Sequence, residues 1–481
     1  MIMKSFSYKQ RRCGVIKILH YSLGLPPLRT GGLTKYSVDL MLSQVESGNE
    51  VSLLYPGHFS LNRKFRINKD KSFVNKSFNS IKVFEILNPL SIPLLSGIPN
   101  PKVYLKNINV NIYIDFLKDL KVEIIHIHTL MGLNKELITA AKQLNIKTIF
   151  TSHDYFGICP KVNLINLQGS ICVDYDNGKN CIDCNRNGYS NSLVVLMQSK
   201  TYRKLKNSLI VKKLRNYKQK VIIKKNNSII EYQPVKGKNN NTCAKDYVNL
   251  RKYFIDIINN IDYIHYNSTV AKNAYEKYID NVNSKILNIS HSNIEDNRIQ
   301  KSSSNNEPLK ITYIGSIEKY KGLFFLLKVL EKLMKNNVNN WSLDIYGRNV
   351  NIDIDKYGEK VKIKGTYNYS ELEQIFKNTD VLIVPSIWYE TFGYIALEAF
   401  SYGVPVIMTD FVGFKDMITP GVTGIIIKVS EDELYNNLQT IIDNREKLSY
   451  INENIIALPS IYTMKNHTQD VMKLYDDLSF N

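Results

Sequence analysis

The chain has 481 residues, of which 44% are hydrophobic, and a formal charge of +19 at pH 7. That length predicts two cores rather than one, and the charge leaves phosphorylated ligands, an anionic membrane surface and nucleic acid as candidate partners. No apolar run reaches the roughly 18 residues of a spanning helix, and Gly14–His20 is too short for a signal-peptide core, so a cytoplasmic, reducing setting is expected for the six cysteines.

Val15-Ile16-Lys17-Ile18-Leu19-His20 predicts a first buried strand, followed by Gly31-Gly32 and a helical pattern through Val38, Leu40 and Met41. Further strands are predicted at Glu50–Leu54, Val122–His128, Lys147–Asp154 and Ile261–His265, with helical patterns between several of them. Lys301–Pro308 reads as a polar linker. Beyond it the alternation restarts at Leu309–Gly315, Trp341–Gly347, Val361–Gly365, Val381–Pro385 and Val404–Ile407. Strands alternating with helices predict α/β architecture, here two doubly wound Rossmann-like domains facing a cleft, with ligands bound beyond the carboxyl ends of the strands.

The densest chemistry lies in Tyr389-Glu390-Thr391-Phe392-Gly393-Tyr394-Ile395-Ala396-Leu397-Glu398. A strand stops at Pro385, a loop carries Glu390, and a helix carrying Glu398 follows, ended by Gly403. The start of such a helix offers free N–H groups and a positive dipole end, which suit phosphate. The two carboxylates can then address opposite ends of one ligand with sugar, diphosphate and ribose parts. An ordinary helix with an acidic flank explains a bare glutamate pair equally well, so the flanking residues carry the distinction.

Those flanks are Tyr313-Ile314-Gly315, Lys321-Gly322, Ile345-Tyr346-Gly347, Ile363-Lys364-Gly365, Asp380–Ser386 and Gly403-Val404-Pro405-Val406-Ile407. Together with the glutamate pair they resemble the retaining glycosyltransferases of family 4, which have the GT-B fold. Gly31-Gly32 and Thr151-Ser152-His153-Asp154 resemble that family's N-terminal motifs more loosely. The resemblance implies that Glu390 lies against a donor sugar as a catalytic residue, with His153 contacting that sugar or the charge near it. It implies that Glu398 bonds ribose and that Thr391, Phe392, Gly393 and Tyr394 give amides to sugar and diphosphate. Lys321 would neutralise the leaving diphosphate, Gly315, Gly31 and Gly32 would allow close approach, and Gly365, Thr366 and Tyr367 would border the base. Ser316 stands where the family often has arginine, so Lys319 or Lys321 is expected to carry more of the phosphate charge. The family's transfer requires no metal.

Several features stay open at this level. Cys159, Cys172, Cys181 and Cys184 fall in one window of 26 residues, which suits a structural zinc site, a disulfide or redox cluster, or unrelated buried thiols. His126 and His128 share one face of a strand and read as structural, since no third ligand lies nearby in sequence. Residues 200 to 225 hold eleven Lys or Arg and no acid, with apolar residues at helical spacing; this fits an anionic membrane surface, or simply a solvated helix, better than nucleic acid. The expected organisation is an acceptor-side domain over 1–300, including the cysteine-rich loop 159–184 and a basic insertion 185–250. A donor domain over 309–462 and a final helix over 463–481, turned back towards the first domain, complete it. The expected activity is retaining transfer of a hexosyl group from a nucleotide-diphosphate sugar to a glycan or lipid-linked acceptor in surface polysaccharide synthesis, at the inner face of the membrane. A nucleotide-sugar epimerase of the same architecture and a non-enzymatic basic binding protein are the alternatives.

Overall fold

The computed structural model describes residues 14–60, 62–72, 78–93, 97–205, 208, 242–280, 283–301, 305–348 and 352–479. Most of the basic segment 200–225 lies outside the described residues. Two sheets organise the rest. The first contains β1 (Lys17–Tyr21), β2 (Glu50–Pro56), β3 (Arg66–Lys69), β4 (Lys82–Leu87), β5 (Ile124–Ile127), β6 (Lys147–Thr151), β7 (Tyr263–Tyr266) and β8 (Ser284–Ile286), in the order β3-β4-β2-β1-β5-β6-β7-β8. Only β3 runs antiparallel, along the edge formed by β4. The second contains β9 (Leu309–Ile314), β10 (Trp341–Tyr346), β11 (Val361–Gly365), β12 (Val381–Val384), β13 (Val406–Thr409) and β14 (Ile425–Ile427), all parallel, in the order β11-β10-β9-β12-β13-β14.

Central strands such as Ile124–Ile127, Val381–Val384 and Val406–Thr409 are buried at every position, as expected when helices cover both faces of a parallel sheet. The strand starts and stops shift from the sequence reading by a few residues; for example, the strand at Lys147 ends at Thr151, before His153. β3, β4, β8 and β14 were not anticipated. β3, β8 and β14 are short strands at sheet edges, and β4, one strand in from the edge, mixes polar with apolar residues so that no unbroken apolar run forms.

The chain crosses between the sheets twice. Residues 287–308 lead from β8 to β9. After the helix Glu446–Ala457, the final helix Met464–Ser479 lies against Gly32–Glu46 on the first domain. Its Val471, Leu474 and Tyr475 are buried in a core that also contains Tyr36 and Leu40. Arg298 fixes this return by donating to the carbonyls of Ile455 (2.6 Å) and Leu458 (2.8 Å), the last acceptors of the preceding helix.

Candidate active site

The carboxyl ends of the two sheets meet across a cleft. Thr391 Oγ1, after β12, donates to the carbonyl of His153, after β6, at 3.2 Å, and Ser268 Oγ donates to the Thr391 carbonyl at 2.6 Å. Thr269 binds Asp416 through both its backbone N–H and its hydroxyl. Trp388 and Tyr155 approach edge to face at 6.4 Å, and a Cβ on Gly32 would lie 3.5 Å from the Tyr394 ring. Gly31-Gly32 therefore opens the first helix directly opposite the helix Tyr394–Ser401.

Glu390 is pinned by its backbone: its N–H donates to Phe411 O, and its own carbonyl accepts from Gly413. One carboxylate oxygen accepts from Lys321 Nζ at 2.8 Å and the other from Ser386 Oγ. Burial pushes this carboxyl up, but the Lys321 ammonium and the two hydrogen bonds outweigh it and hold the group below the ordinary glutamate range. Lys321 also lies 5.1 Å above the Trp388 ring. It can take this position because the next residue is glycine. Gly322 has φ +81°, and a Cβ there would stand 1.7 Å from the Pro385 carbonyl oxygen. Gly393, at φ +97°, likewise starts the helix where a Cβ would meet Val412 at 2.8 Å.

Glu398 sits about a turn into that helix, only 5% exposed, and is held by His291 Nε2 at 3.0 Å. His291 Nδ1 accepts the Asn293 N–H at 3.3 Å, so Nε2 carries the proton and donates to the carboxylate. The Tyr394 and Tyr369 rings stand 5.1 and 5.9 Å from the imidazole, and the Glu398 charge raises the hydroxyls of Tyr367 and Tyr369 further after burial has already raised them. His291 was missed in sequence because it lies on the interdomain crossing, 107 positions from Glu398. Ser386 follows the β12 apolar run in sequence, and nothing local marks its contact with Glu390.

The other residues singled out fall into groups. Gly315 follows β9, its N–H donating to Tyr346 O; Gly365 ends β11, and Tyr367 beyond it lies near Glu398 with its ring 6.1 Å from Tyr346. Phe392 is a core residue whose carbonyl accepts from Phe414, so its side chain belongs to packing. Ser316 offers its carbonyl to the Tyr313 hydroxyl at 2.7 Å, and Lys319 is exposed on the turn Lys319–Lys321. His153 packs its ring 4.4 Å from Tyr36, and burial lowers its pKa to about 3, so the ring is neutral.

His126 and His128 join His20, from the neighbouring strand, in a set whose ligand atoms lie within 4.8 Å of one another. Most of their ring nitrogens are already engaged in hydrogen bonds, and in this set His128 Nδ1 alone has no partner. Leu287 O can only accept, so His265 Nε2 carries a proton and its Nδ1 accepts from Thr151 Oγ1. Thr151 in turn accepts from His126 Nε2, whose Nδ1 accepts from the Tyr475 hydroxyl. Gln44 donates to Tyr475 and accepts from His20 Nε2, and His20 Nδ1 accepts from His128 Nε2. The four imidazoles of this relay are neutral, and within the triad only His128 Nδ1 keeps a lone pair without a partner, so the three rings do not present an open ligand set.

Cys159, Cys172 and Cys181 lie around Arg251 and Cys184 lies near Cys181 and Cys159, but no three of the four sulfurs come within 4.8 Å of one another. They form no disulfide, and burial pushes the Cys172 thiol up to about 11.

Residues 294–457 match the family described as glycosyl transferases group 1. An uncharacterised 41.2 kDa protein of the cps region of Klebsiella pneumoniae is 30% identical over 181 residues, which is 37% of this chain and 47% of that protein; the chain thus spans about half the length of this curated relative. A glycosyltransferase from Rickettsia africae superposes over 97% of this chain and 99% of its own with a TM-score of 0.56 at 15% identity. Anabaena HepE, solved in complex with UDP and glucose, does so over 96% and 99% with a TM-score of 0.54 at 12% identity. The chain thus has the GT-B fold, and its residues 294–457 match the glycosyl transferases group 1 family.

Proposed function

We propose that the protein is a retaining glycosyltransferase that moves a sugar from a nucleoside-diphosphate sugar to a glycan or lipid-linked acceptor. The observation that carries this reading is the Lys321–Glu390–Ser386 cluster at the mouth of β12, set beside a helix start and in line with Glu398. An anionic diphosphate fits between Lys321 and the N–H groups at Gly393 and Tyr394, where cation and helix dipole act together. Lys321 then has two anions to serve, and the arriving phosphate competes with Glu390 for its protons. As that contact loosens, Glu390 is free to hold a sugar hydroxyl. Glu398, oriented by His291, accepts from ribose hydroxyls, with Tyr367 near the base.

On departure of the nucleoside diphosphate, its negative charge grows where Lys321 and the amides already point, which lowers the barrier without reorganisation. Same-face attack by an acceptor hydroxyl, with the leaving phosphate taking its proton, preserves the anomeric configuration. The UDP and glucose bound by HepE support a nucleotide-sugar donor. The net charge of +19 supports work at an anionic membrane face; among the described residues, no helix is long and apolar enough to cross a membrane.

A thermal-shift screen over nucleoside diphosphates and their sugars identifies the donor. Turnover is then read as nucleoside diphosphate released on adding acceptor glycans or lipid-linked sugars. Glu390→Gln and Glu398→Ala are each expected to lower turnover by at least about 100-fold with melting little changed. Full turnover in both variants, or conversion of the donor with no acceptor present, would overturn the reading.

A further inference from the structure

Arg251 presents an electrostatic problem that the surrounding protein leaves unsolved. It lies on the helix Ala244–Asn259 and is only 3% exposed. Its guanidinium stacks 4.2 Å over the Tyr175 ring, with Tyr278 at 5.7 Å on its other flank. Nε and Nη1 have no hydrogen-bond partner, and Nη2 reaches only the sulfur of Cys181, at 3.7 Å. No carboxylate pairs with it among the described residues. A buried cation without a counter-charge costs several kcal/mol, so this position calls for an anionic centre.

The groups around it are sulfurs. Cys159 and Cys181 are buried; Cys172 and Cys184 are half-buried and line a cavity of about 340 Å³ that also includes Asp174 and Asp183. Cys181 and Cys184 are three residues apart on the helix Lys179–Asn185 and so share a face. Cys172 leaves a small hairpin closed by the bridge between Ile165 and Ile171, and the Leu167 N–H at its tip faces the Cys184 sulfur. Backbone and guanidinium donors aimed at sulfur favour the thiolate and partly offset burial, which raises the Cys172, Cys181 and Cys184 thiols. Neutral thiols or disulfides would leave Arg251 uncompensated.

We propose that Cys159, Cys172, Cys181 and Cys184 form a tetrahedral zinc–thiolate centre and that Arg251 balances its negative charge from the outer shell. Each thiol releases its proton on ligation, the four thiolates and the dication leave a net charge of two minus, and no electron moves. Tetrahedral ligation at about 2.3 Å places the sulfurs about 3.8 Å apart. No three of the four sulfurs stand within 4.8 Å of one another, so ligation requires the half-buried Cys172 and Cys184, which line the cavity, to turn inward. The centre would tie the loop after β6 to the helix Ala244–Asn259. That loop also carries Tyr155, which meets Trp388 across the cleft, so the metal fixes the wall of the acceptor side without touching the reacting atoms.

The test uses the full chain, expressed with added zinc and purified without chelator. Metal analysis should find about one zinc per chain, and thiol titration should show four slow sulfhydryls that become fast on adding a chelator. Cobalt exchanged into the site should show thiolate-to-cobalt charge transfer and the strong visible bands of tetrahedral ligation. Cys184→Ser should lose at least about 100-fold in zinc affinity and Arg251→Met about 10- to 100-fold, with Arg251→Lys in between. Zinc below about a tenth of an equivalent with all thiols fast, iron with inorganic sulfide in its place, or an Arg251→Met variant of unchanged zinc affinity would overturn the proposal. The first two readings come from the wild-type chain and do not depend on a variant folding.

Discussion

Lys321 and Glu390 show how much a single ion pair decides at the residue scale. The carboxylate is only 15% exposed, and without its partners burial would favour the protonated form. Replacing Lys321 with methionine keeps the apolar stem but removes the charge, leaving Ser386 as the remaining donor to Glu390. The carboxyl must then rise above its wild-type value, so the acid limb of the pH–rate profile should move to higher pH and turnover at neutral pH should fall. Lys321→Arg should restore part of both effects. A Lys321→Met profile that overlays the wild type would show that this carboxylate does not set the acid limb. The same locality explains why this part of the site was legible in sequence. Gly322 and Gly393 hold positive φ with no room for a Cβ, which favours glycine, and Pro385 follows an unbroken apolar strand, so each leaves a local mark in the sequence.

At the element scale the final helix depends on polar as well as apolar contacts. The Tyr475 hydroxyl donates to His126 Nδ1 at 2.6 Å and accepts from Gln44 at 3.2 Å, both in fully buried surroundings. Tyr475→Phe keeps the ring packing and strands both partners, which should cost about 1–3 kcal/mol and lower the melting temperature by a few degrees. Denaturant unfolding of the two proteins measures this; equal midpoints would mean that water or a neighbour replaces the hydroxyl. None of this is visible in the linear sequence, where Tyr475 and His126 stand 349 positions apart. The parallel strands were legible because burial on both faces writes an unbroken apolar run, as in Val381-Leu382-Ile383-Val384. Lys82-Val83-Phe84-Glu85-Ile86-Leu87 was not, because β4 alternates with polar residues and lies one strand from the sheet edge. The His291–Glu398 contact escaped for the same reason as Tyr475: long-range partners leave no local period.

Over the whole molecule, six of the eight histidines (His20, His126, His128, His153, His265 and His467) lie close together beneath the cleft, between the first sheet and the final helix. Burial lowers all of them, His20 and His265 to about 4 and His153 to about 3, and the directional hydrogen bonds hold the linked rings neutral. In the unfolded chain each returns to about 6.5. Below that pH the unfolded state binds protons that the folded state refuses, so stability is full above about pH 7 and falls as the pH drops towards 4. At pH 5.5 the loss is about 1.4 kcal/mol per histidine, or about 8 kcal/mol for the six. Asp154 acts in the opposite direction. Burial raises it to about 7, so the folded state holds a proton that the unfolded carboxyl releases, returning about 2 kcal/mol at the same pH. The net loss, about 6 kcal/mol, is comparable to the whole stability of an ordinary domain. Urea unfolding between pH 7.5 and 5 should therefore show stability falling with a slope that approaches four to five protons taken up, roughly 6 kcal/mol per pH unit near pH 5.5. A flat profile over that range would mean that the histidines are hydrated in solution and that the final helix does not seal them. A steep profile that becomes shallower in His467→Gln and His20→Gln would locate the acid sensitivity in this cluster rather than in surface carboxylates, which lose their charge only at lower pH.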